Sequence, residues 1–246
     1  AQLGALAAAG LAEVPCARRP RVAVLATGSE LRPPGERLAP GQIYESNRPL
    51  VAALLGRAGA EVEVLPLVPD SAEEHRKALA AGLEADVLVT SGGVSMGRHD
   101  LVRRVQAELG VEDVFWGVAV KPGKPLSFGV RGRTLVLGLP GNPVSALVCS
   151  LLFAAPAVLA LQGAREPGPV FLPGRTTAAL RANEHRDELV RARIVGVDEE
   201  SVLLEPLAGQ ESHMIVRAAS ADALLYVPRG AGELAPGTPV RYLALA

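Results

Sequence analysis

Apolar and polar positions alternate along this chain in a way that predicts strands and helices in turn. Val22-Ala23-Val24-Leu25 is an unbroken apolar run ending at Thr27-Gly28, the pattern of a parallel strand buried on both faces that opens into a loop. A helix is predicted after Ser46-Asn47, with Pro49 in its first turn and Gly59 where a left-handed residue would stop it. Residues 61–67 alternate and then become apolar, giving a second strand, and Ser71 with Glu74 forms a capping box for a helix to about Leu83. Residues 86–90 predict a third strand running into Ser91-Gly92-Gly93-Val94-Ser95-Met96-Gly97, and residues 100–109 have helical spacing closed by Gly110. Residues 115–120 predict a strand that leads to Lys121-Pro122-Gly123-Lys124-Pro125. Residues 126–130 and 133–137 read as two strands joined at Arg131-Gly132, and Asn142 caps a helix with Pro143 in its first position.

Strand and helix in this order predict a three-layer α/β domain with a largely parallel sheet over residues 20–163. Pro167, Gly168, Pro169 and Pro173-Gly174 then mark a linker. Beyond it, residues 189–197, 201–206, 223–227 and 239–245 read as short strands of a small β-barrel domain, residues 168–246. Residues 1–19 read as a helix and linker left from an earlier domain, without the charged leader of a signal peptide.

Charge narrows the function. The 25 basic and 26 acidic residues give a net charge of -1, so no global field draws in nucleic acid or an anionic membrane. Residues 144–161 are eighteen positions without a charge, the lower length limit of a membrane span. Pro156, Ser145, Ser150 and the lack of aromatic belts favour a buried helix of an α/β layer instead. Cys16 and Cys149 have no CxxC spacing, which argues against a disulfide framework and fits a reducing cytoplasm. His75, His99, His185 and His213 are scattered, and no GxSxG elbow accompanies Ser95 or Ser145, so neither a histidine metal centre nor a serine hydrolase is indicated.

An anion site is indicated. Ligands of open α/β sheets bind beyond the carboxyl ends of the strands, where the glycine loop at Ser91 and the Leu139-Pro140-Gly141-Asn142-Pro143 loop are expected to present bare amides and a helix N-terminus. Lysine occurs three times, and Lys121 and Lys124 flank one glycine in a proline-stiffened loop. Glu30, Asp70 and Asp100 follow the predicted strand ends, and hard oxygen donors beside phosphate suit Mg²⁺.

Thr27-Gly28-Ser29-Glu30-Leu31, Gly41-Gln42-Ile43-Tyr44-Glu45-Ser46-Asn47 and the glycine, lysine and proline loops above, in this order, resemble the MoeA family of molybdopterin molybdotransferases. The resemblance is strong to about Gly163, and residues 187–195 and 221–228 resemble the family's C-terminal domain more weakly. It implies a MoaB/MogA-like α/β fold and Mg²⁺-dependent insertion of molybdate into adenylated molybdopterin with release of AMP. Glu30, Asp70, Asp100, Lys121 and Lys124 would be catalytic, with Glu30 and Asp100 on the metal. Thr27, Gly28, Ser91, Gly92, Gly93, Ser95, Pro140, Gly141, Asn142, Pro143 and Ser145 would hold the pterin phosphate. A homodimer and a MogA-like adenylyltransferase partner are also implied. Ser29 stands where the family's TGDEL motif has aspartate, so no second acid beside Glu30 is carried over. Members of the family have two further N-terminal domains that complete the dimer and the active site, which implies weak or absent insertion by these residues alone. The same α/β fold resembles the MogA-type adenylyltransferase, and a gephyrin-like scaffold is the non-enzymatic alternative.

Overall fold

The computed structural model describes residues 1–92, 101–198 and 201–245. Helix α1 (Gln2–Ala8) buries no residue. Arg18 beyond it makes a two-pronged ion pair with Asp86, both contacts 2.6 Å, and that guanidinium holds the Asp86 carboxyl at a pKa of about 2.

Strand β1 (Arg21–Ala26) is buried from its second residue onward. Alternation sends Val22 and Val24 to one face and Ala23 and Leu25 to the other, and helices cover both. Val51, Leu55 and Val158 pack on the first face; Leu79, Leu83, Val102 and Val105 pack on the second. After the short parallel pair β2 (Leu31–Arg32) and β3 (Ile43–Tyr44) come α2 (Asn47–Arg57), β4 (Glu61–Val64), α3 (Ala72–Gly82), β5 (Val87–Ser91) and α4 (Leu101–Glu108). They are followed by β6 (Glu112–Trp116), β7 (Val120–Lys121), β8 (Ser127–Arg131), β9 (Thr134–Leu139) and α5 (Pro143–Cys149). A π-helical turn over Ser150–Ala154 joins α5 to α6 (Ala155–Leu161).

The sheet order is β4-β1-β5-β9-β8-β6. The first four strands are parallel. The turn at Gly132 (φ 58°) reverses the chain, so β8 runs antiparallel to β9 and β6 antiparallel to β8. The carboxyl ends of β1, β5, β9 and β6 and the entry to β8 therefore share one edge.

The remaining strands are β10 (Leu172–Thr176), β11 (Leu180–Arg181), β12 (Asp187–Asp198), β13 (Ser201–Pro206), β14 (Ala223–Val227), β15 (Glu233–Leu234) and β16 (Pro239–Ala244), with the short α7 (Ile215–Ala218) before β14. Five of them pair in the order β13-β10-β16-β14-β12, and β12 pairs back with β13. The barrel is closed, which removes the exposed edges an open sheet would leave. Its core is Val190, Ala192, Leu204, Leu225, Val227 and Tyr242.

The uncharged run 143–161 is the α5–α6 helix. Val144, Ala146, Val148, Cys149, Ala154 and Val158 are buried; Val148 packs with Leu189, Leu224 and Leu243 of the barrel, and Cys149 with the sheet. A helix covered by the sheet on one side and the barrel on another has little surface on which to place a charge, which fits the composition that also suits a membrane span. Burial pushes the Cys149 thiol up to about 12.

Three local expectations are corrected. Ser71 is the N-cap of α3 but makes no side-chain cap bond, and Glu74 pairs with Lys77 instead of reaching back. Asn142 precedes α5 without capping it through its side chain. Residues 115–120 do not form one strand, because Gly117 at φ 86° separates β6 from β7.

Candidate active site

A cleft of about 1360 Å³ opens along the shared edge. Thr27, Gly28, Glu30, Asp70, Ser91 and Gly92 line it from the ends of β1, β4 and β5; Lys121, Lys124, Pro140, Gly141, Asn142, Pro143 and Ser145 line it from the lysine loop and the turn into α5. Gly93, Ser95 and Asp100, which the sequence also nominates, lie outside the described residues.

The amide of Gly92, expected to be bare, is engaged: Gly92 N–H donates to Leu139 O at 3.3 Å, and Gly28 N–H donates to Val68 O at 3.2 Å. Both amides therefore join neighbouring segments at the sheet edge. Glycine is required by space: at Gly92, with φ 87°, a Cβ would lie 2.7 Å from the Thr27 carbonyl oxygen. At Gly123 a Cβ would lie 2.8 Å from Cys149 Sγ, so the lysine loop sits directly on α5.

Asn47, at the start of α2, joins two loops that are distant in sequence. Its Nδ2 donates to Ser91 Oγ and to Gly141 O, both at 2.7 Å. Sequence reasoning placed it in a motif and gave it no role.

The two lysines are not equivalent. Lys121 forms an ion pair with Glu188 of β12, where β7 runs parallel to the start of that strand. Lys124 is exposed and has no ion pair among the described residues.

Of the acids, Asp70 is tied locally: its Oδ2 accepts from Ser29 N–H at 3.3 Å, and its own N–H donates to Ser29 Oγ at 3.1 Å. Glu30 makes no such contact among the described residues. Glu45 is buried and paired with Arg48 at 2.9 Å. His75 lies against the cleft, 1% exposed, with neither ring nitrogen in a well-formed hydrogen bond among the described residues. Burial lowers its pKa, and the charge of Asp70 and the Ser71 backbone oppose that shift more weakly. No group of three or more metal-binding side chains occurs among the described residues.

The barrel supplies a wall that the sequence did not reveal. Arg186, Gln210, Glu211, Ser212, His213 and Ile215 line the cleft. Ser212 O accepts from Val144 N–H at 3.0 Å, and Ser212 Oγ accepts from Asn142 Nδ2 at 2.9 Å, so the loop occupies the first turn of α5 in place of a cap. Arg191, 1% exposed, holds that loop from behind, donating to Gly209 O at 2.8 Å, Met214 O at 2.9 Å and Glu211 O at 3.2 Å. Burial lowers its pKa. A buried arginine satisfied by carbonyls is visible only once the loop is folded around it.

Comparison with known proteins fits this geometry. Residues 23–160 match the family model described as "Probable molybdopterin binding domain", and residues 173–245 match that of the MoeA C-terminal region (domain IV). A molybdopterin molybdenumtransferase of Haemophilus influenzae is 36% identical over 237 residues, 96% of this chain and 58% of that protein. Molybdopterin molybdenumtransferase 2 of Mycobacterium tuberculosis is 36% identical over 249 residues, 98% of this chain and 60% of that protein. Among solved structures, a molybdopterin biosynthesis MoeA protein of Pyrococcus horikoshii superposes with a TM-score of 0.84 at 29% identity, covering 100% of this chain and 59% of that one. The chain thus spans little more than half the length of these relatives.

Proposed function

The chain belongs to the MoeA family of molybdopterin molybdenumtransferases, and from that premise we propose that its cleft binds the phosphate group of adenylated molybdopterin and takes part in inserting molybdate into the pterin dithiolene with loss of AMP. The observation that carries this reading is the meeting, on one sheet edge, of the turn into α5 with Lys124 and Glu30, whose ammonium and carboxylate have no ion pair among the described residues.

Breaking a phosphoanhydride beside an oxyanion is mainly a matter of positioning and charge. Lys124 can neutralise an incoming oxyanion, and Lys121 shares its charge with Glu188. Ser145, Asn142 and Ser212 bring polar groups to the other side of the cleft. Glu30 is chemically suited to Mg²⁺, which binds through one or two carboxylates and keeps several waters; Asp100 is proposed as the second carboxylate. Bound there, Mg²⁺ would supply charge neutralisation for the phosphate oxygens. A homodimer, an upstream MogA-type adenylyltransferase and a reducing cytoplasm belong to the same proposal, the last supported by the free thiols of Cys16 and Cys149.

The test is titration of this chain with adenylated molybdopterin, followed by assay of AMP and pterin-bound molybdenum after adding molybdate and Mg²⁺. Saturable binding weakened by Lys124→Ala is expected, with slow insertion by this chain alone. Absence of binding overturns the reading, and so does accumulation of adenylated pterin from molybdopterin and ATP.

A further inference from the structure

Asn47 sits where the end of β5 meets the turn into α5. Asn47 is 8% exposed and Ser91 2% exposed, and both, with Gly141, line the cleft. A carbonyl can only accept, so Gly141 O at 2.7 Å fixes which end of the amide faces it: the NH₂. The second N–H then meets Ser91 Oγ at 2.7 Å, making that hydroxyl an acceptor and leaving its own hydrogen free to donate. Asn47 Oδ1 is buried with no partner among the described residues. A group kept only to fill space would carry no orphan acceptor, because an apolar side chain of that size has none to desolvate. The two donors account for an amide at this position.

We infer that Asn47 is a positioning residue: it sets the spacing of the Ser91–Gly92 and Gly141–Asn142 turns and polarises the Ser91 hydroxyl to donate to an oxyanion in the cleft. The choice of oxyanion, pterin phosphate or molybdate, rests on the function proposed above; the clasp itself does not. Carboxylate at position 47 would invert the arrangement. It would accept from Ser91 and repel Gly141 O, until protonation gives it back one donor.

The experiment compares wild type with Asn47→Leu and Asn47→Asp, each checked for folding by thermal melting, with Ser91→Ala as a companion variant that removes the acceptor and keeps the amide. Dissociation constants are measured at pH 5 to 8 for adenylated molybdopterin without molybdate and for molybdate alone, each as a ratio to wild type at the same pH. Asn47→Leu should weaken binding of the relevant oxyanion about tenfold at every pH, one lost charge-assisted contact. Asn47→Asp should be at least as weak at pH 8 and recover towards pH 5, a profile that a space-filling role does not produce. Loss confined to the pterin assigns Ser91 to its phosphate, and loss confined to molybdate assigns it to the metal oxyanion. Wild-type affinity in folded Asn47→Leu overturns the inference. Should wild type bind neither ligand, the functional reading fails, and the backbone amide resonances of Ser91, Gly92 and Gly141 decide the clasp: shifts in Asn47→Leu sustain it and unchanged resonances refute it.

Discussion

Lys121 and Glu188 are joined across the pairing of β7 with β12, so one of the two lysines in the cleft already has a carboxylate on it. The Glu188 side chain is 12% exposed and the Lys121 side chain 48% exposed, which makes the acid the anchored partner. Glu188→Gln keeps the side chain's shape and removes a negative charge beside the cleft. Affinity for molybdate should rise about fivefold, the effect of roughly 1 kcal/mol expected for a half-exposed pair. The gain should shrink as salt is added. Isothermal titration at two ionic strengths checks both, and unchanged affinity at low salt would place Lys121 outside the binding site.

Gly92 is a sharper steric test. Alanine there must hold φ near 87° and push its methyl against the Thr27 carbonyl oxygen, 2.7 Å away. The expected loss is about 3 kcal/mol, from left-handed strain together with overpacking against backbone. Urea denaturation of Gly92→Ala measures it. Gly141→Ala is the control, because among the described residues its Cβ would meet nothing nearer than the Gly92 Cα at 3.8 Å, and it should cost much less.

Arg191 links the barrel to the cleft. Replacing it with methionine leaves the Gly209 and Met214 carbonyls without their donor, at a cost of about 3 kcal/mol. Lysine should not restore the loss, since a single ammonium cannot span carbonyls arranged for a planar fork. Limited proteolysis should cut Arg191→Met and Arg191→Lys between residues 207 and 215 faster than wild type. Equal cleavage would mean that the loop is held by Ser212 alone.

What the sequence could reveal follows from the range of the interactions. The apolar run at Val22 to Leu25 and the two faces it must bury are local facts, and so are the glycine and proline turns that end β5 and β9. The site loops were legible because only certain residues permit those turns. Pairings between distant segments were not. Nothing near Lys121 announces Glu188, and nothing near Asn142 shows that Ser212 will occupy the first turn of α5. The same holds for the amides of Gly28 and Gly92, whose partners are Val68, in the segment after β4, and Leu139, at the end of β9. For Ser71 the local signal was present, and Lys77 drew Glu74 away from it.

His75 gives the clearest dependence on pH. It is buried against the cleft with neither ring nitrogen in a well-formed hydrogen bond among the described residues, and burial pushes its pKa down while Asp70 and, more weakly, the Ser71 backbone pull it back only in part. In the unfolded chain it titrates near the ordinary value of about 6.5. Above that value both states carry a neutral ring, so the group makes no pH-dependent contribution. As pH falls below it the unfolded chain takes up a proton that the folded one refuses, and stability is lost. His75→Leu removes that term. It should also cost no more than about 1 kcal/mol at pH 8, because the imidazole has no well-formed hydrogen bond among the described residues to lose and its desolvation is avoided. Urea midpoints of both proteins from pH 8 to pH 5 measure the difference, every other titratable side chain being common to the two. A shallower acid-side loss in His75→Leu is the expected outcome. Parallel curves would mean that the folded protein protonates His75 as readily as the unfolded chain does, with Asp70 and the Ser71 backbone fully offsetting the burial of the ring.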